Sequence, residues 1–135
     1  STYSIYSDID KIEYDSIISK LDKSPIDYLK NRYKRIKDFY DEDKTISVND
    51  FMAIEEYIEE NEFFNLYNDL SELAKQEHPG TVLASYYMGR FHEETGDPEK
   101  AMYIYRSAYN MMEVEGLTKE YLLQLAESIK EDFNY

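Results

Sequence analysis

Apolar positions along the chain recur mostly at helical spacing, and the interruptions between them mark six firm elements. Ser24-Pro25-Ile26-Asp27 places a hydroxyl at an N-cap, Pro at the first helical position and an acid three residues after the cap. Ile26, Leu29, Tyr33, Ile36 and Phe39/Tyr40 follow at the spacing of one helix face, which predicts a helix over Pro25–Tyr40. Phe51, Ile54, Tyr57 and Ile58 predict a second over Asn49–Glu60, with Ser47 or Asn49 near its N-cap. Phe63, Leu66, Leu70, Leu73 and Ala74 predict a third over Phe63–Gln76, stopped by His78-Pro79-Gly80-Thr81. Two more are expected over Val82–Thr95 and Pro98–Val114, the second ended by Gly116. Thr118 then caps a last helix over Lys119–Asp132, whose apolar face is Tyr121, Leu122, Leu125, Ile129 and Phe133. Residues 1–23 have no clear period; Ile9, Ile12, Ile17, Ile18 and Leu21 allow an irregular helix from about Asp8 to Leu21, or a linker.

The stretch Val82–Met111, VLASYYMGRFHEETGDPEKAMYIYRSAYNM, organises the rest. Gly89 and Ala108 lack bulk, so two antiparallel helices can approach closely there. Gly96 enters the left-handed conformation that ends a helix. Asp97 caps the next, with Pro98 at its first position and Glu99 in its first turn. With Val82 as first position, Met88-Gly89, Gly96-Asp97, Ala101, Tyr105 and Ala108 all fall on the pattern of the tetratricopeptide (TPR) repeat, a helix–turn–helix unit of about 34 residues. The stretch resembles a TPR over one repeat. It departs from the pattern at His92, where Tyr or Phe is usual, and at Ser85, where a large apolar residue is usual.

The resemblance implies an all-α, TPR-like solenoid of antiparallel helix pairs in a right-handed stack, here placed over residues 24–135. The clear repeat is 82–115. A degenerate copy covers 48–79, with Asn61 on the turn position of Gly96 and Ile54, Tyr57, Leu66, Leu70 and Leu73 on packing positions. The helix within 118–133 is a capping half-repeat, and solenoids need such polar-faced ends. The repeat's concave-face positions map onto Leu83, Tyr86, Arg90 and Glu93, and onto Val48, Phe51, Glu55 and Ile58 in the degenerate copy. These are the candidate contact residues. Arg and aromatic side chains suit interface hot spots, although Glu55 and Glu93 flank Arg90 and an internal salt bridge competes for it. Filling of the groove by the last helix or by residues 1–23 stands beside filling by a partner.

A second resemblance starts near Ser24. SPIDYLKNRYKRI, the stretch from His78 to Met111 and GLTKEYLLQLAESIKEDF are similar to the C-terminal helical region of α/β-hydrolase esterases, mainly of Bacteroidetes. That family keeps its catalytic machinery in a preceding domain, so no catalytic residue carries over.

Charge then narrows the partners. The 135 residues carry a formal net charge of −14, with the acids spread along all the helices. Nucleic acid needs a basic footprint and anionic membrane surfaces need cationic patches, so neither is expected as a partner; a solvated acidic surface accounts for the charge. The one basic cluster, Lys30, Arg32, Lys34, Arg35 and Lys37, reads as a solvated helix face, or as a docking face for acidic helices of a partner or of this chain. No apolar run reaches the ~18 residues of a membrane span. The absence of an initiating Met and of a signal peptide suggests a mature product or an excised piece. The compartment stays open between cytoplasm and periplasm or secretion, and with no cysteine there is no thiol chemistry. Tyr is abundant, 15 residues beside 6 Phe and no Trp; such rings can line a core and keep their hydroxyls wet.

Catalytic, cofactor and metal constellations are not found. Asp41–Phe51 superficially matches a calcium-binding EF-hand loop, but Ile46 takes the place of the required Gly and Met52 that of the bidentate Glu. His92 reads as a core or boundary imidazole and His78 as a loop residue. Carboxylate pairs such as Glu55-Glu56, Glu59-Glu60 and Glu93-Glu94 read as solvated faces. Two functional classes stand: a non-catalytic module contacting a protein segment or an upstream domain of the same polypeptide, and the helical appendage of a hydrolase.

Overall fold

The computed structural model describes residues 24–41 and 44–135; the expected Asp8–Leu21 helix lies outside them. The fold is all-α. Its helices are α1 (Pro25–Tyr40), α2 (Val48–Asn61), α3 (Leu66–Glu77), α4 (Val82–Glu94), α5 (Pro98–Ser107) and α6 (Lys119–Phe133), with a 3-10 turn at Ala108–Asn110. The chain divides into two compact units, one up to Glu62 and one from Phe63 to Tyr135. The helices expected to pair as the degenerate repeat, α2 and α3, therefore fall into different units.

Most helix starts form as their sequences dictate. Ser24 accepts from the Asp27 amide, Ser47 from that of Asp50, Asp97 from that of Lys100 and Thr118 from that of Tyr121. Each satisfies a backbone donor left over at the helix start. Left-handed residues close the other ends: Asp41 after α1, Glu62 after α2 and Asn134 after α6. The left-handed position after α2 is thus Glu62, one residue beyond Asn61. After α4, Gly96 takes φ 99°, as its sequence position required.

In the first unit, α1 and α2 share a buried polar junction. The Tyr33 hydroxyl donates a short hydrogen bond to the carboxylate of Asp50, which is fully buried, and accepts one from the Ser47 amide at 3.1 Å. Burial, followed by the bond to Asp50, pushes the Tyr33 pKa well above its ordinary value. Asp50, which lies within the Asp41–Phe51 stretch, is thus engaged by Tyr33.

The second unit is a helical stack in which α3 packs on α4, α4 on α5 and α5 on α6. Its core includes Tyr67, Leu70, Ala74, Leu83, Tyr87, Ala101, Tyr105, Ala108, Leu122 and Ala126. Two boundaries differ from the sequence expectation by more than one residue. Phe63 lies before α3, in a turn whose carbonyl accepts from the Leu66 amide at 2.9 Å. More markedly, the helix expected through Val114 stops at Ser107. Beyond the 3-10 turn, Met111 is extended and Met112 pairs with the α3–α4 loop: its amide donates to the Gly80 carbonyl at 3.1 Å, and its carbonyl accepts from the Val82 amide at 2.9 Å. An extended chain can make both bonds and a helix cannot. Gly116 (φ 80°) consequently belongs to a tight turn between Val114 and Leu117 and does not terminate a helix.

Candidate functional site

The four candidate positions on α4 divide. Leu83 is 1% exposed and belongs to the core. Tyr86, Arg90 and Glu93 are half-buried and engaged within the unit. The Tyr86 ring lies 5.3 Å from that of Tyr87 and 6.2 Å from that of Tyr121 on α6. Arg90 pairs with Glu93 at 3.1 Å and Glu94 at 2.9 Å, and its guanidinium stands 5.8 Å from the centroid of the Tyr67 ring. Glu93 also accepts from the Tyr105 hydroxyl at 2.9 Å. Burial, and then the Glu93 charge, hold the Tyr105 pKa far above its ordinary value, with Arg90 opposing. The last helix thus supplies a ring against Tyr86, and an internal salt bridge holds Arg90. The second acid, Glu94, was legible as an i,i+4 partner; the Tyr67 and Tyr121 rings come from other helices and carried no local signal.

The candidates on α2 lie in the first unit. Phe51 and Ile58 are fully buried, while Val48 and Glu55 are half-buried. Phe51, Ile58 and Leu83 are therefore core residues and present no open contact surface.

Of the repeat-packing residues, Gly96 is exposed in the turn after α4, and the other four lie inside. Gly89, Ala101, Tyr105 and Ala108 are buried, and a Cβ on Gly89 would fall onto the Tyr105 ring. His92, half-buried at the end of α4, has its ring 5.1 Å from that of Phe91. Desolvation, and then the positive charge of Lys100, lower its pKa against the opposing pull of Asp97.

A cavity of about 460 Å³ opens on the opposite side of α4. Side chains advance roughly 100° per residue around a helix, so Ala84, Ser85 and Met88 stand across α4 from Leu83, Tyr86 and Arg90. With Ser71 and Lys75 of α3, the loop from His78 to Thr81, Ile104 and Ser107 of α5, and Met111, they line the cavity. Its local cause is size: Ala84 and Ser85 are small. The sequence showed the departure at Ser85 without showing what surrounds it.

Neither a family model nor a curated protein matches this sequence. A solved structure does match: an uncharacterised protein from Capnocytophaga ochracea DSM 7271, with a TM-score of 0.78 at 21% identity over 96% of this chain. At that identity the likeness defines the class, an all-α helical stack. The chain spans 36% of that protein's length.

Proposed function

We propose that this chain is a non-catalytic, TPR-like module making protein–protein or interdomain contacts as part of a larger polypeptide. The observation carrying this reading is that a structural likeness covering 96% of this chain takes up 36% of a longer one. The engaged Tyr86 and Arg90 favour a module whose concave positions serve its own packing. The test is co-sedimentation of this chain with the separately produced remainder of its parent polypeptide, alongside assay of the chain on a short-chain ester. A one-to-one complex without turnover is expected. No complex, or ester hydrolysis that survives purification, overturns the proposal.

A more specific version is the helical domain of an α/β-hydrolase-type esterase, supporting or covering the catalytic domain. It is favoured by the phrase similarity from Ser24 onward. A G-x-S-x-G elbow with triad partners upstream of Ser1 is its expected signature, and a parent without them rules it out.

A further inference from the structure

We infer that the cavity between α3, α4 and α5 is a binding site for an amphiphilic monocarboxylate, with its alkyl chain inside and its carboxylate at Lys75. Cavities of about 300–1,000 Å³ suit small organic ligands, and this one measures about 460 Å³. Its four hydroxyls are already spent as donors. Ser71 donates to the Ala84 carbonyl at 2.8 Å, Thr81 to the His78 carbonyl at 2.8 Å, Ser107 to the Ile104 carbonyl at 2.9 Å and Ser85 to the Met111 sulfur at 3.3 Å. The hydroxyls can therefore only accept from a ligand, and the apolar part of the wall is formed by Pro79, Ala84, Met88, Ile104 and Met111. The two thioethers can adapt to an unbranched chain.

A bare hydrocarbon would leave the cationic side of the cavity unused. Lys75 lines it, and its ammonium lies 3.4 Å from Glu72 in a pair whose side chains are 62% and 58% exposed. Such a pair is weak and exchangeable. A carboxylate can replace Glu72 there while the attached chain stays on the methionines. This site faces away from Tyr86 and Arg90 and does not depend on the proposed contact role.

The probes are octanoate and octanol, titrated against the whole 135-residue chain and followed through the methyl NMR signals of Met88 and Met111. Saturable octanoate shifts at both methionines are expected, with weaker octanol binding. Ser85→Leu restores the bulk that the repeat pattern has at this position, so it should raise the melting temperature and abolish the shifts. Ser107→Leu fills the cavity from an exposed position on α5 and gives the same reading should Ser85→Leu not fold. Lys75→Gln should weaken octanoate about two- to fivefold and leave octanol unchanged. Absence of octanoate binding, or binding that survives a folded cavity-filling variant, overturns the site. Octanol binding as tight as octanoate, or indifference of octanoate to Lys75→Gln, overturns the carboxylate assignment.

Discussion

Gly89 on α4 and Tyr105 on α5 occupy one another's space: a methyl group added to the glycine would overlap the edge of the tyrosine ring. The ring can come this close to the α4 backbone only because nothing projects there. Its hydroxyl then reaches Glu93 one turn further along. One missing side chain thus sets both the helix separation and the anchor of the Arg90 network.

Gly89→Leu should therefore lower stability by about 2–3 kcal/mol or more, since an overpacked crossing must spread or rotate Tyr105 out. Urea unfolding measures it. The pair is expected to be non-additive: Tyr105→Leu should recover part of the loss in the Gly89→Ala background. An unchanged midpoint for Gly89→Leu would show that the crossing does not depend on this contact.

Alkaline stability follows from Tyr105 and Tyr33. Both hydroxyls are held protonated in the folded chain to pH values well above the ordinary tyrosine range. The unfolded chain ionises near pH 10. Their contribution is therefore complete below about pH 10 and is lost as pH rises beyond it, because only the unfolded state sheds the protons. Denaturant midpoints from pH 8 to 11 should fall above 10. Tyr105→Phe should make that fall shallower while costing about 1 kcal/mol at neutral pH through the lost bond to Glu93.

His92 acts at the other limb. Its folded pKa lies below the ordinary histidine value, so the unfolded chain takes up a proton first as pH drops through about 6.5. Stability from this residue is present above that pH and declines below it. His92→Tyr, the residue type of the repeat pattern, should flatten the decline between pH 7.5 and 5.5. An identical pH profile in the variant would assign the decline to other groups.

Asp50→Leu tests the junction of α1 and α2. The substitution removes the acceptor of the Tyr33 hydroxyl in a buried setting, where an unsatisfied donor carries its full desolvation penalty. A loss of at least about 2 kcal/mol is expected. Adding Tyr33→Phe should cost less than the sum of the two single changes, because the stranded donor disappears with it.

Local chemistry made much of the fold legible. Ser24-Pro25, Asp97-Pro98 and Thr118 announce helices through caps that need only their next few residues, and all three form. The early end of α5 was not legible, since Tyr109, Met111, Met112 and Val114 continue an apolar helical pattern and the competing bonds come from Gly80 and Val82. The candidate site fared similarly. Repeat numbering carried Phe51, Ile58 and Leu83 onto a contact face, yet their burial depends on neighbouring helices that numbering does not specify. Arg90 could be read correctly as competed for, because its acids lie one turn away in its own helix.

The pairing of Met112 with Gly80 and Val82 also redraws the unit that could be moved between proteins. The Thr81 hydroxyl donates to the His78 carbonyl and does not cap α4, so the carbonyl of Met112 receives the first free amide of that helix. A fragment cut after Ser107 would keep both helices and every repeat-pattern residue through Tyr105, yet it would leave the Val82 amide to water. The smallest transplantable piece accordingly runs to Met112, and its border is drawn by a backbone bond between its two ends.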